Sequence, residues 1–427
     1  MRKNLGLISL SLLLLAIVIT TSFGKIEKSI TKVQTFPSTV CPGSKSGNTV
    51  IDYLPKSKIK AALIPNESGK LKPLGASVLN ASKPLLVDGQ EVTSMAIIKG
   101  SSGWLAATSC SISDGDDWFI GGSANITSRG YLEIVNSGLS VAQVDLKIYS
   151  KTAPRTINKT IPANSVKYVK LDSLAPGEDS IAINAITRSG RISVFMLDNR
   201  GSGLRSLGGD FVPPALAPAK SVVIPFIPTI KKGGQNTQIL RLVVPGSVDA
   251  NIKATIYSGD GSFAPRGIDG QSVNGGTVKD IDINPIVSDS SYVLKIDSDV
   301  PLSAGIFTKS GQDFVWSTAA QPLKTTTVRL GGFKPVMRFY GQSIDLNLSW
   351  VDSNGKRSGK RITGSDTVSF KSKSGLNSLT VENLNGVSYG SLKISNSSGD
   401  AILPIVSGAH LESAALPRSD ARAINRN

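Results

Sequence analysis

The chain is poor in the residues from which most reaction centres are built. It has one histidine, His410, and two cysteines, Cys41 and Cys110, among 427 residues. A Ser-His-Asp or Cys-His nucleophilic site would have to be assembled on that single imidazole, which stands in "SGAHLESAAL" near the C-terminal end. Two distant cysteines and one histidine make no closed zinc site. No G-x-S-x-G elbow, no G-x-x-x-x-G-K-[ST] phosphate loop and no dinucleotide fingerprint occurs. Ser57-Lys58-Ile59-Lys60 and Ser353-Asn354-Gly355-Lys356 fit S-x-x-K, yet the S-D-N and K-T-G partners of a penicillin-binding site are missing. The expectation is a protein that is not an enzyme and holds no cofactor and no metal.

Aromatic residues (6%) and charged residues (18%) are also scarce, and so are the helix formers Glu, Met and Gln. What is plentiful is Ser, Thr, Val and Ile, with 42 glycines and 22 prolines. That mixture predicts short β-strands joined by turns.

The formal net charge is +16. Basic residues are spread through the chain, and the densest run, "GKRSGKR" from Gly355 to Arg361, has no interleaved aromatics on which bases could stack. Nucleic acid is therefore not an expected partner. Weak attraction to anionic wall polymers or lipid fits better.

One long apolar run exists. Residues 1–24 place Arg2 and Lys3 before a stretch from Leu5 towards Phe23. Positive charge ahead of an apolar run directs the rest of the chain across the membrane. Two readings stand, a cleaved signal peptide and an uncleaved membrane anchor. Both predict an extracytoplasmic protein, secreted or anchored to the cytoplasmic membrane by this segment. In that setting Cys41 and Cys110 are expected to pair, with two free thiols as the alternative. The bond would close a loop of about seventy residues and stabilise by roughly 4 kcal/mol.

The chain repeats itself. "LEIVNSGLSVAQVDLKIYS" (132–150) aligns without a gap on "LRLVVPGSVDANIKATIYS" (240–258), with seven of nineteen positions identical. In each copy apolar residues alternate with polar ones, as in a strand with one buried face. A third, more diverged copy reads "SIDLNLSW", "NSLTVENL" and "SLKISNSSGDAILPIVS". Each copy carries six or seven short strands in roughly 80 to 100 residues, which predicts tandem immunoglobulin-like β-sandwiches. The expected organisation is an all-β chain: residues 1–24 as signal or anchor, 25–111 as a β-rich N-terminal region, repeats at 112–213, 214–322 and 323–412, and a basic disordered tail at 413–427. The Cys41–Cys110 bond is expected to dock the N-terminal region on the first repeat. Asp114, Asp116 and Asp117 read as a hydrophilic turn, since the spaced carboxylates of a calcium loop do not follow.

Cys-Pro-Gly at 41–43, Trp104, Cys110, Trp118, Gly121-Gly122 and the following L-x-L/V-x-N/P-x-G repeats resemble a family of exported actinobacterial proteins, domain of unknown function 5719. The resemblance implies an export or anchor segment, β-sandwich repeats and an envelope setting, and no activity. The functional expectation is a non-enzymatic cell-envelope protein with a structural, spacer or partner-binding role. Its partner would be an envelope protein or polysaccharide. The alternative is a carbohydrate-binding module, or an accessory subunit of envelope polysaccharide assembly. For that alternative Trp104, Trp118, Trp316 and Trp350 are the candidate stacking residues, with core packing as the competing reading.

Overall fold

A computed structural model describes residues 33–35, 38–43, 49–52, 60–73, 78–88, 95–99, 103–111, 115–231, 236–283, 287–406 and 411–414. The expected signal or anchor segment 1–24, Asp114, Ser57-Lys58, His410 and the tail from 415 onward lie outside them. The chain divides into two units. In the smaller one, strands Val33–Thr35 and Leu411–Ala414 pair antiparallel. The larger spans Phe36–His410.

The larger unit is all-β, with several antiparallel sheets, some of them curled into half-barrels. The predicted alternation is present. Along Ala142–Tyr149 the side chains of Ala142, Val144, Leu146 and Ile148 are buried, and Gln143 is exposed. Ala250–Ser258 buries Ala250, Ile252, Ala254 and Ile256 in the same rhythm. Each buried Val, Leu or Ile side chain of this kind contributes about 1.5–3 kcal/mol, and the alanines less. The one helix among the described residues is the single turn Leu171–Leu174. No helix among them is long and apolar enough to cross a membrane.

Strand pairing shows a regularity that sequence comparison misses. From Asp116–Phe119 to Arg205–Val212 there are eight strands in two sheets. Numbered along the chain, they are ordered 1-6-3-4 and 5-2-7-8. Among the described residues, the stretch from Thr39–Cys41 to Leu105–Ser109 also has eight strands, with the same two orders. From Ala219–Pro228 to Asp313–Thr318 the pairings recur, but strands six and seven are fused into Ser291–Ser310, which serves both sheets. From Thr326–Phe333 to Asp400–Pro404 they recur again. There strands two and three are fused as Val336–Asp352, and four and five as Arg357–Lys371. We refer to these four stretches as segments one to four.

The eighth strands meet at the centre. Leu105–Ser109 packs on Arg205–Val212, which packs on Asp313–Thr318, which packs on Asp400–Pro404, which returns to Leu105–Ser109. Segment four thus closes on segment one. Leu105 and Ala107 are part of the same apolar cluster as Leu346, Leu348 and Leu403 of segment four.

The disulfide joins Cys41 to Cys110, but it does not tie the N-terminal region to the next repeat. Cys41 ends strand one of segment one, and Cys110 follows strand eight of the same segment. Val40 and Ser111 exchange two backbone hydrogen bonds of 2.8 Å beside it. The bond therefore closes the two sheets of segment one on each other. Segment one docks on segment two without it, through packing of Val40, Ile64 and Trp104 against Tyr131, Phe195 and Phe211 and through hydrogen bonds such as those between Asn66 and Asn164. Trp118 and Phe119 belong to strand one of segment two, and Gly122 turns the chain at φ +86°. Asp116 and Asp117 form part of that strand rather than a turn, so their side chains leave on opposite faces.

Candidate functional site: the seams between segments

The four tryptophans are not gathered on one face. Trp104, Trp118 and Trp316 are buried, at 4%, 7% and 0% exposure. Each sits at a seam. Trp104 lies flat on Gly209, where a Cβ would come within 3.1 Å of the indole. Trp118 stacks on Tyr149, with ring centroids 5.8 Å apart, in a cluster with Val243 and Val278 of segment three. Trp316 enters the core of segment two from segment three. These three rings present no open face to a ligand. Trp350 is half-buried and packs on Phe370, with centroids 5.2 Å apart.

Buried charge is concentrated at the same seams. In the aligned pair of repeats, the second residue of each copy is ionisable within an apolar strand: Glu133 in "LEIVN" and Arg241 in "LRLVV". Both occupy strand two of their segments, are almost wholly buried, and reach back into the preceding segment. Glu133 Oε1 accepts the Gly43 N–H at 2.8 Å. Arg241 donates to the carbonyls of Gly122 and Ile181, and pairs with Asp280 through Nε and Nη2 at 2.8 and 2.9 Å. Its guanidinium also lies 5.2 Å from the Trp316 ring centroid. Gly43 and Gly122 each stand just past strand one of the segment that is captured. Arg338, on strand two of segment four, continues the pattern by donating to Ser291 Oγ at 3.0 Å and to Asp289 Oδ2 at 2.9 Å.

Three further carboxylates lie where the eighth strands converge. Asp198 accepts from Arg200 at 2.8 Å and from the Trp316 indole N–H at 3.0 Å. Arg200 also lies over the rings of Phe307 and Phe314. Asp210 Oδ2 accepts the Trp316 backbone N–H at 2.8 Å. Asp313 faces the backbone N–H groups of Phe314, Gly209 and Leu105, which belong to segments three, two and one.

Burial sets the protonation of these groups. It pushes Glu133 up to about 8 against the pull of the Gly43 N–H and the Tyr168 hydroxyl. It pushes Asp313 up to about 7, with the Asp400 charge adding to the rise. Asp210 is driven well above the carboxylate range by burial, with the neighbouring Asp313 and Asp198 adding. Burial also opposes ionisation of Asp280, but there the Arg241 charge, with hydrogen bonds from Arg241 and Ser180, wins and holds the carboxyl below its usual range.

These groups are directed at backbone and side chains of neighbouring segments. A groove of about 490 Å³ on segment one, bordered by Leu63, Asn66, Lys70, Lys72 and Lys83, lies apart from all of them. Among the described residues no group of three or more His, Cys, Asp or Glu is placed to hold a metal ion. The sequence flagged none of Glu133, Arg241, Asp198, Asp210 and Asp313, although a charge inside an otherwise apolar strand was the available sign for the first two.

The architecture defines an all-β protein whose sheets are fastened to one another by buried charge. Residues 87–363 match the Family of unknown function (DUF5719), and the chain belongs to that family. No curated protein matches the sequence. One solved chain that it matches is that in "Crystal structure of Salmonella alpha-2-macroglobulin reacted with methylamine", at 9% identity and a TM-score of 0.10. The alignment covers 91% of this chain and 40% of that one. A likeness of that size carries no argument about fold or function.

Proposed function

We propose that this is a non-enzymatic protein of the cell envelope, in which tandem β-sandwiches form a rigid body that holds a position and binds a partner through sheet edges and loops. The sandwiches are immunoglobulin-like in the broad sense of two facing antiparallel sheets. The observation that carries the reading is the use made of buried charge: Glu133, Arg241 and Asp313 each bind a neighbouring segment rather than opening on a cleft. Ionisable groups committed in this way rigidify a scaffold and leave little chemistry for a substrate. The N-terminal apolar run and the pairing of both cysteines agree with an extracytoplasmic site. Fractionation of the native source with differential alkylation tests this. A chain outside the cytoplasm with Cys41 and Cys110 oxidised is expected; a cytosolic chain with two alkylatable thiols would overturn it.

A second reading rests on Trp350. Its half-exposed ring beside Phe370 is the one indole of the four with a surface for a sugar. Trp350→Ala would abolish retention on an envelope polysaccharide column under this reading, and would leave it unchanged if the ring only closes the core of segment four.

A further inference from the structure

The four segments differ most in their fourth strands, which lie at the edge of the 1-6-3-4 sheet. In segment one this strand is Lys72–Pro73, in segment two Arg155–Ile161, and in segment three two short pieces, Gly261–Phe263 and Ser272–Val273. In segment four it is the first half of the fifteen-residue strand Arg357–Lys371, which among the described residues pairs only with Val336–Asp352. The strand contains no proline, and its register with Val336–Asp352 is unbroken from Arg357 to Gly364. Every second backbone N–H and C=O along that stretch therefore faces away from the sheet, which is the template for an added strand.

Charge selects what can be added. Lys356, Arg357, Lys360 and Arg361 are all exposed. Period-two alternation puts Arg357 and Arg361 on one face and Lys360 on the other. Arg361 is paired with Asp345 at 2.8 Å. Among the described residues the side chains of Lys356, Arg357 and Lys360 form no ion pair, although Asp352 Oδ1 accepts the Lys356 backbone N–H at 2.9 Å. A second copy of this edge would bring like charges opposite each other, which disfavours self-pairing. We propose that the Arg357–Gly364 edge takes up an extended, acidic polypeptide segment as an additional antiparallel or parallel β-strand, main-chain hydrogen bonds supplying affinity and the cations supplying selection. This deepens the partner-binding role proposed above and rests on it.

The test uses the whole protein and a fluorescein-labelled octapeptide of alternating Glu and Thr, read by anisotropy. Saturable binding is expected. Two losses of roughly tenfold or more in affinity are expected with it: one in the double variant Arg357→Glu/Lys360→Glu, the other with the same octapeptide N-methylated at every residue, which keeps the charges but removes all backbone donors. Equal binding of the methylated peptide would show charge attraction alone and overturn strand addition. The proposal is also overturned by an unchanged double variant, or by no saturation up to about 1 mM peptide. The methylated peptide needs no variant, so the test survives a folding defect. Failure here leaves the fractionation result, and the envelope reading with it, untouched.

Discussion

Glu133 and Arg241 occupy equivalent positions in two segments and do the same work with opposite charge. Each is buried on strand two and captures the backbone just beyond strand one of the preceding segment. The carboxyl takes an N–H, the guanidinium gives to carbonyls. Their environments differ in one respect. Arg241 has a counter-ion in Asp280, whereas among the described residues Glu133 is met only by the Gly43 N–H and the Tyr168 hydroxyl. A charge without a counter-ion is driven neutral by burial, and a charge with one persists. The seam between segments one and two is therefore held by a neutral acid, and the seam between two and three by an ion pair.

The sharpest way to break this comparison is Arg241→Met. It leaves Asp280 mostly buried without its direct counter-ion, held by the Ser180 hydroxyl and the weaker pull of the Lys151 charge, and is expected to cost about 3–5 kcal/mol in denaturant unfolding. Next in size is reduction of the Cys41–Cys110 bond. It is expected to cost about 2–4 kcal/mol, and proteolytic nicking should rise first within segment one, because the bond closes that segment on itself. Conversion of the acid seam, Glu133→Gln, keeps an acceptor for Gly43 and is expected to be near neutral at pH 5. Its effect is on pH dependence. The folded protein holds the Glu133 proton more tightly than the unfolded chain does, so this contribution is intact below about pH 4.5 and is lost as pH rises through about 8. Melting temperature should fall from pH 5 to 8.5 in the parent, and less steeply in Glu133→Gln. Asp313→Asn should flatten the same curve between about pH 4 and 7. The ion-pair seam has the opposite sign: Asp280 has a lowered folded value, so its contribution holds above the ordinary carboxylate range and fades as pH drops below it. The smallest change is expected for Arg361→Ala, whose pair with Asp345 is solvent-exposed. Its melting temperature should match the parent's.

The sequence makes half of this legible. Alternation in Ala142–Tyr149 and Ala250–Ser258 marks strands with one buried face, and identity at seven of nineteen positions marks the repeat. Segment one keeps the strand order without that signature. Its strands are short, such as Thr39–Cys41 and Lys72–Pro73, so hydrophobic periodicity has too few residues in which to register. Fusion of strands hides the order again in segment four, where Val336–Asp352 does the work of two strands. The disulfide partner is evident from a cysteine count of two, but its role is not. Whether a crosslink lies within a unit or between units depends on where strand eight returns, and that is a tertiary fact. The seam carboxylates are hidden for the same reason: Asp198, Asp210 and Asp313 are ordinary residues of strands and a hairpin until the eighth strands bring them together.

The central claim is that the seams make the four segments one closed body. Native-state hydrogen exchange with peptide-level mass spectrometry on Arg241→Met tests it directly. If the circuit is closed, protection falls beyond the injured seam, reaching Leu105–Ser109 and Asp400–Pro404 on the far side of the ring. Loss of protection confined to segments two and three would contradict it, and would mean that the segments open as independent units.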